Sequence, residues 1–135
     1  MANLILPDTG LTRWLLYGVS ASGLNYHLFT NVYTCQNITT LSNFTECIIS
    51  GYAPINVTAS DFTIKGVAGH VGTVQGAAIT FIATSGSTYA QGWFATDSTN
   101  ATLMACQTFD TPQLFQLGSP VVVIPAFGDM SQLSF

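Results

Sequence analysis

A mainly β, antiparallel sandwich or jelly-roll-like domain is the fold class that this sequence predicts, on three observations. Outside its apolar residues the chain is rich in Thr, Ser, Asn, Gln and Gly, with only 2 basic and 6 acidic side chains among 135 residues. Such a composition suits strands, because Thr, Val, Ile and aromatic side chains fit pleated, half-buried surfaces. Short runs alternate apolar with polar residues at the period of a strand, and Gly-rich turns separate them, giving seven or eight strands. The length is that of one domain able to bury a core without disulfide staples. Its organisation reads as an N-terminal arm and hinge over residues 1–23 and a single β-rich domain over 24–135.

Residues 1–8 read as extended and end at Pro7, which cannot donate into a central ladder. Asp8 or Thr9 caps a short helix over Leu11–Tyr17, with Leu11, Trp14 and Leu15 on one face; a strand fits the same residues. Gly18 to Gly23 is a flexible joint. The stretch Leu24–Pro54 then reads as strand, polar turn, strand and a tight Gly51–Pro54 corner. Its first strand is apolar on both faces, with Leu24, Tyr26, Leu28 and Val32 on one and His27, Phe29 and Tyr33 on the other. A strand of that kind needs cover on both sides, and another subunit is as good a source of the second cover as the chain itself.

A strand follows at Ile55–Ser60, and the parity change at Phe62 and Ile64 implies a bulge or corner near Asp61. Gly66, Gly69, Gly72 and Gly76 punctuate a loop-rich region that holds His70. Ala77–Thr84 is a strand with Ile79 and Phe81 inward, and Ser85-Gly86-Ser87 a hairpin-type connection. Tyr89–Thr96 and Thr102–Phe109 form a hairpin about Asp97–Ala101, with Tyr89 and Trp93 facing Leu103 and Ala105. Pro112 to Gly118 is a loop, and Pro120–Phe127 a last strand confined by its two prolines.

Charge narrows the function classes. Arg13 and Lys65 are the only cations, so no basic patch neutralises phosphates or anionic lipid, and nucleic acid is not an expected partner. No apolar run reaches the roughly 18 residues of a membrane span. The first residues lack a cationic segment and carry Pro7, Asp8 and Arg13 where a signal peptide is apolar, so a cytoplasmic product is expected. Cys35, Cys47 and Cys106 are an odd set without close spacing, which points to reduced thiols. Four Asn-X-Ser/Thr sequons, at Asn37, Asn43, Asn56 and Asn100, then read as chance matches. A chain 48% hydrophobic and 6% charged, against about 25% charged in average proteins, suits one that hides surface in an oligomer or larger assembly.

The search for chemistry finds no catalytic constellation. Neither His27 nor His70 has a partner at metal-ligand spacing, nothing argues for a cluster of His27, Cys35 and Cys47, and His27 reads as a strand histidine bonded to backbone. No Gly-X-Ser-X-Gly elbow is present, Glu46 is the only glutamate, and Asp61, Asp97 and Asp110 sit at turns. No metal, cofactor or enzymatic activity is expected. The aromatic residues Tyr33, Tyr52, Tyr89, Trp93 and Phe94 are either a sugar platform or, as large rings more often are, core and interface anchors.

Several motifs carry a resemblance. HLFTN at 27–31, TTL at 39–41, FTE at 44–46 and GYAP at 51–54 resemble short proteins of tailed bacteriophages, including phages of cyanobacteria. Leu6-Pro7 with Gly10-Leu11, Tyr89 with Gly92-Trp93-Phe94 and Asp97, and Gly118 extend the likeness more weakly; Cys35, Cys47 and Ser119 depart from it. The resemblance implies a virion structural protein without catalytic residues or cofactor. Its leading form is a capsid cement (decoration) protein, a homotrimer on the capsid surface bridging major capsid subunits, assembled in the host cytoplasm. The alternative is a tail, baseplate or fibre component that binds host glycan through Tyr52 or Trp93. Phe29, Tyr33, Tyr52 and, on the strap-like arm, Trp14 are the expected interface residues.

Overall fold

The computed structural model describes residues 23–36, 38–58, 62–68 and 71–127. The arm with Trp14, the joint up to Ser22, Asp61 and His70 lie outside them. The fold is mainly β and antiparallel, sandwich-like, with small open sheets. In chain order the strands are β1 (Leu24–Phe29), β2 (Ile55–Val57), β3 (Phe62–Ala68), β4 (Val71–Gly76), β5 (Ile79–Phe81), β6 (Ser87–Asp97), β7 (Leu103–Gln116), β8 (Val121–Val123) and β9 (Ala126–Phe127). They fall into two compact units.

The unit made of residues 23–57 and 79–123 holds a four-stranded sheet, in the order β2-β1-β6-β7, and a two-stranded sheet, β5-β8. Strand β1 is central. Leu24, Asn25 and Tyr26 pair with Val57, Asn56 and Ile55 of β2, while Leu24 to Phe29 pair with Asp97 to Gly92 of β6. That register puts Leu24, Tyr26 and Leu28 on one face with Val57, Trp93 and Ala95, and all six are buried. Full burial of one such aliphatic or aromatic side chain stabilises by about 1.5–3 kcal/mol. His27 and Phe29 share the other face with Phe94 and Gly92, and are buried as well. In the smaller sheet Ile79 and Phe81 face Val123 and Val121, burying one side and leaving Val122 outward.

The hairpin about Asp97–Ala101 is present. Asp97 N donates to Thr102 O at 3.1 Å, and Asp97 Oδ1 accepts from the backbone N–H of Ala101 at 2.8 Å. Its second strand runs further than the sequence predicts, to Gln116, and the expected pairs are displaced: Tyr89 faces Leu114 and Trp93 faces Gln107. Two irregularities cause this: a register shift between Ala95 and Thr96 moves the Trp93 pair, and an excursion of β7 further from the turn moves the Tyr89 pair. Ala90 pairs with Gln113 and Gly92 with Thr108, leaving Phe109–Pro112 opposite Gln91 alone. Pro112 has no N–H for the ladder and Asp110 favours turns, so these residues leave it and the pairing then resumes.

Two further expectations change. The Ser85–Ser87 turn does not close a hairpin, because β5 pairs with β8 and β6 with β1 and β7; the turn carries the chain from one sheet to the other. The glycine-punctuated region is a hairpin and not a loop. In the second unit β3 and β4 pair from Phe62↔Gly76 to Ala68↔Val71, with a register shift between Ile64 and Gly66, and β9 adds to β4. Glycine inside a strand commonly marks such a bulge.

Candidate functional site

The motifs quoted above converge on β1. Its β2-side edge is paired only as far as Tyr26, so Leu28 and Thr30 remain open to another segment. Residues 45–47 take that place: Cys47 N donates to Leu28 O and Thr30 N to Thr45 O, each at 2.9 Å, with a bridge between Phe29 and Glu46. The expected second strand of the Leu24–Pro54 stretch is therefore a short bridge, because β6 holds one edge of β1 and β2 most of the other. Between the two pairings the Leu28 N–H is taken by the Tyr52 hydroxyl at 3.0 Å. Asn31 supplies both ends of a clamp, donating from Nδ2 to Asn43 O and accepting at Oδ1 from Thr45 N, each at 2.8 Å. The Gly51 corner is as tight as its sequence suggests. Gly51 has φ +87°, and an added Cβ would come within 2.6 Å of Thr84 N.

Residues 30–52 thus wrap one face of the sheet. Phe44 stacks on Phe94 with centroids 4.6 Å apart and meets Phe29 at 4.7 Å, while Tyr33 packs edge-on against Phe44 at 5.7 Å. Further along, Cys35 is joined to Cys106 by a disulfide. The expectation of three reduced thiols is corrected by this bond: 71 residues separate the two cysteines, but the wrap brings their Cα atoms to 6.1 Å. Cys47 is a free, buried thiol, and burial raises its pKa above the ordinary value.

A chain of polar side chains runs from the wrap across β1 and β6 to the surface. Glu46 Oε2 is 2.9 Å from His27 Nδ1 and accepts from the Tyr52 hydroxyl at 2.8 Å. His27 Nε2 is 3.1 Å from Thr96 Oγ1, Thr96 donates to Asn100 Oδ1 at 3.0 Å, and Asn25 Nδ2 donates to the same oxygen at 2.9 Å. Asn56 Nδ2 completes the chain at Asn25 Oδ1, 2.8 Å away. With the Thr96 hydroxyl donating to Asn100, its oxygen is left to accept from His27 Nε2. The His27 ring is held flat against Phe94, 4.6 Å between centroids with 4° between planes. Burial is the first cause of the raised Tyr52 pKa; the Leu28 hydrogen bond opposes it and the Glu46 carboxylate adds to it.

Thr96, His27 and Glu46 stand in the order of a hydroxyl, a base and a carboxylate that orients it. Thr96 is nevertheless 1% exposed, and its hydroxyl is occupied on both sides. In this conformation the arrangement works as a clamp joining β1, β6 and the wrap, with no approach for a substrate to Oγ1. Among the described residues no group of three or more His, Cys, Asp or Glu side chains is placed to hold a metal ion. His27 bonds to side chains and not to backbone as the sequence suggests, because Glu46 and Thr96 flank its ring.

The expected interface residues separate. Phe29 has 0% exposure within the single chain, under Phe44 and across Gly92, so it is a core residue and unavailable to another subunit. Tyr33 and Tyr52 are half-buried, with their hydroxyls on Thr39 and on Glu46 and Leu28 N. Trp93, a candidate sugar platform, is buried, and its Nε1 donates to Gln107 Oε1 at 2.9 Å. Trp14 lies outside the described residues. The outward side chains of the wrap are instead Ile48, Val32 and Ile38, at 92%, 89% and 80% exposure. Sequence reasoning missed these three, and also Thr96 and Asn100. Val32, which the sequence places with Leu24, Tyr26 and Leu28 on a covered face, is exposed because β1 ends at Phe29 and the strand alternation does not continue to it.

Comparison with protein-family models, with curated protein sequences and with solved structures finds no match to this chain. Fold and site together define a class: a mainly β, antiparallel protein whose central sheet is closed on one face by its own 30–52 segment. Within that class it is marked by the convergence of HLFTN, FTE and GYAP on a single hydrogen-bonded cluster.

Proposed function

We propose that this protein is a virion structural protein of the capsid cement type, which bridges major capsid subunits and sister copies at the head surface and carries out no turnover. The observation that carries this reading is the outer side of the wrap. Ile48, Val32 and Ile38 stand almost fully exposed on a segment whose only charged residue, Glu46, is part-exposed and hydrogen-bonded to His27 and Tyr52. Large aliphatic side chains on an exterior with so little charge favour burial against protein. A specific interface removes about 1,600 Å² in total, and a cement subunit among several neighbours has room for more than one. The phage-like motifs support the same reading: they build the inner side of the wrap and so set which side chains face outward.

The test is re-addition of purified protein to phage heads that lack it. Wild-type protein is expected to bind in hundreds of copies and raise the temperature at which heads rupture. Ile48→Asp is expected to keep its circular dichroism and lose binding. Absence of binding by wild-type protein, with unchanged rupture, overturns the reading. A handful of copies confined to the tail would favour the tail or baseplate alternative.

A further inference from the structure

We propose that Cys35 and Cys106 form an oxidation site that fastens the wrap to β7 only after the protein has folded, with a small-molecule disulfide such as glutathione disulfide as the reactant. The geometry that carries this is independent of the sulfurs. Cys35 N donates to Thr108 Oγ1 and Thr108 Oγ1 donates to Tyr33 O, both at 2.9 Å, so residues 33–35 are already docked beside Cys106 by two hydrogen bonds. The aromatic contacts of Tyr33 and Phe44 and the clamp at Asn31 hold the rest of the wrap in place without the bond. A reduced chain therefore reaches the same arrangement and presents two thiols already in register.

The chemistry balances with the reactant named. One thiolate of the pair attacks a sulfur of glutathione disulfide, forming a mixed disulfide and releasing one glutathione thiolate. The second thiolate attacks the protein sulfur of that mixed disulfide, closing Cys35–Cys106 and releasing the second glutathione. Two electrons pass from the protein sulfurs to glutathione, and the two thiol protons end on the released glutathiones or in solvent. Cys35 and Cys106 are half-buried and within reach of a small reactant, whereas Cys47, paired with β1, is buried and its pKa is raised by that burial. The site is thus selective for two thiols of three. Disulfides persist in oxidising surroundings and are rare where glutathione is kept reduced, so a protein made in a cytoplasm acquires this bond on leaving it. The inference stands whether or not the capsid reading does.

The experiment uses the full chain purified under reductant and then treated with glutathione disulfide. Intact mass is expected to fall by two hydrogens, and alkylation after denaturation is expected to mark Cys47 alone. Closing a span of 71 residues is expected to raise the melting temperature by roughly 10 °C. The double variant Cys35→Ser/Cys106→Ser is expected to fold, to melt with the reduced wild type and to ignore glutathione disulfide. A lasting glutathione adduct, alkylation pointing to Cys47 as a partner, or equal melting of the reduced and oxidised forms overturns the proposal. So does failure of the reduced chain and the double variant alike to fold, since the bond would then precede the arrangement.

Discussion

Gly92→Ala offers a sharp test of how the second face of the sheet is closed. Gly92 lies opposite Phe29, and an added Cβ would stand 2.5 and 2.6 Å from two carbons of that ring and closer still to the carbonyl oxygen of Gln107. Non-bonded carbons rest at about 3.5–4.0 Å, so the ring must retreat by roughly 1 Å. It has little room to move, because Phe29 is fully buried and Phe44 lies 4.7 Å from it. The Gln107 oxygen belongs to β7 and moves only if the β6–β7 ladder opens. Overpacking of this kind costs about 1–3 kcal/mol, and the entropy that alanine removes from the unfolded chain returns about 0.4–1 kcal/mol. A net loss of about 2 kcal/mol is expected, which at a urea slope of about 2 kcal/mol per M moves the midpoint down by about 1 M. Phe29→Ala alone should cost about 3–5 kcal/mol, and in its background the Gly92→Ala penalty should shrink by at least about 0.5 kcal/mol, the coupling of two groups in contact. A Gly92→Ala protein within about 0.5 kcal/mol of wild type would refute the packing described for this face.

Three further predictions follow from single groups. Tyr26 Oη is buried and, among the described residues, without a hydrogen-bond partner, so Tyr26→Phe should leave stability unchanged or raise it by about 1 kcal/mol in urea unfolding. Glu46→Gln keeps an oxygen that accepts from Tyr52 but removes the carboxylate beside His27, whereas Tyr52→Phe takes the hydroxyl from both Glu46 and the Leu28 N–H. Each should cost about 1–3 kcal/mol in urea unfolding, and wild-type stability in either variant would contradict the clamp. The Asp97 carboxyl is held below its ordinary pKa chiefly by the Ala101 backbone N–H, with those of Thr102 and Thr99 and the Thr99 hydroxyl adding. A lowered folded-state pKa means that its contribution is complete above the unfolded value of about 3.9 and is lost as pH falls through the folded one. Asp97→Asn should therefore flatten the decline of stability below pH ~4, and an unchanged acid limb would count against the turn geometry.

What was legible in the sequence was local. The Asp97–Ala101 turn was readable because Asp97 has short-range work to do, and β1 and β6 because their apolar and aromatic residues leave little choice of period. The two-sided apolar pattern read from Leu24 to Tyr33 holds as a demand for two covers as far as Phe29, where β1 ends, and fails at the exposed Val32. Its second cover is the chain's own 30–52 segment, and nothing local in Phe29 or Tyr33 distinguishes a partner's ring from Phe44. Cys35 and Cys106 meet across 71 residues only because the wrap crosses β7, a long-range outcome that spacing does not encode. The displacement of Tyr89 and Trp93 from their expected partners has a similar origin. A register shift between Ala95 and Thr96 moves the Trp93 pair, a four-residue excursion at Phe109–Pro112 moves the Tyr89 pair, and Pro112 marked the place of the second without giving its length. Thr96 and Asn100 were unremarkable as sequence, since their roles come from the flanking His27 and Asn25 on the neighbouring strand.

The central claim is that the wrap has a folding side and a binding side. Amide hydrogen exchange on the protein free and seated on phage heads tests it most directly. Amides around Val32, Ile38 and Ile48 are expected to slow markedly on the particle, while those already locked in β1 and β6 stay as they are. Unchanged exchange throughout residues 30–52 in particle-bound protein would contradict it.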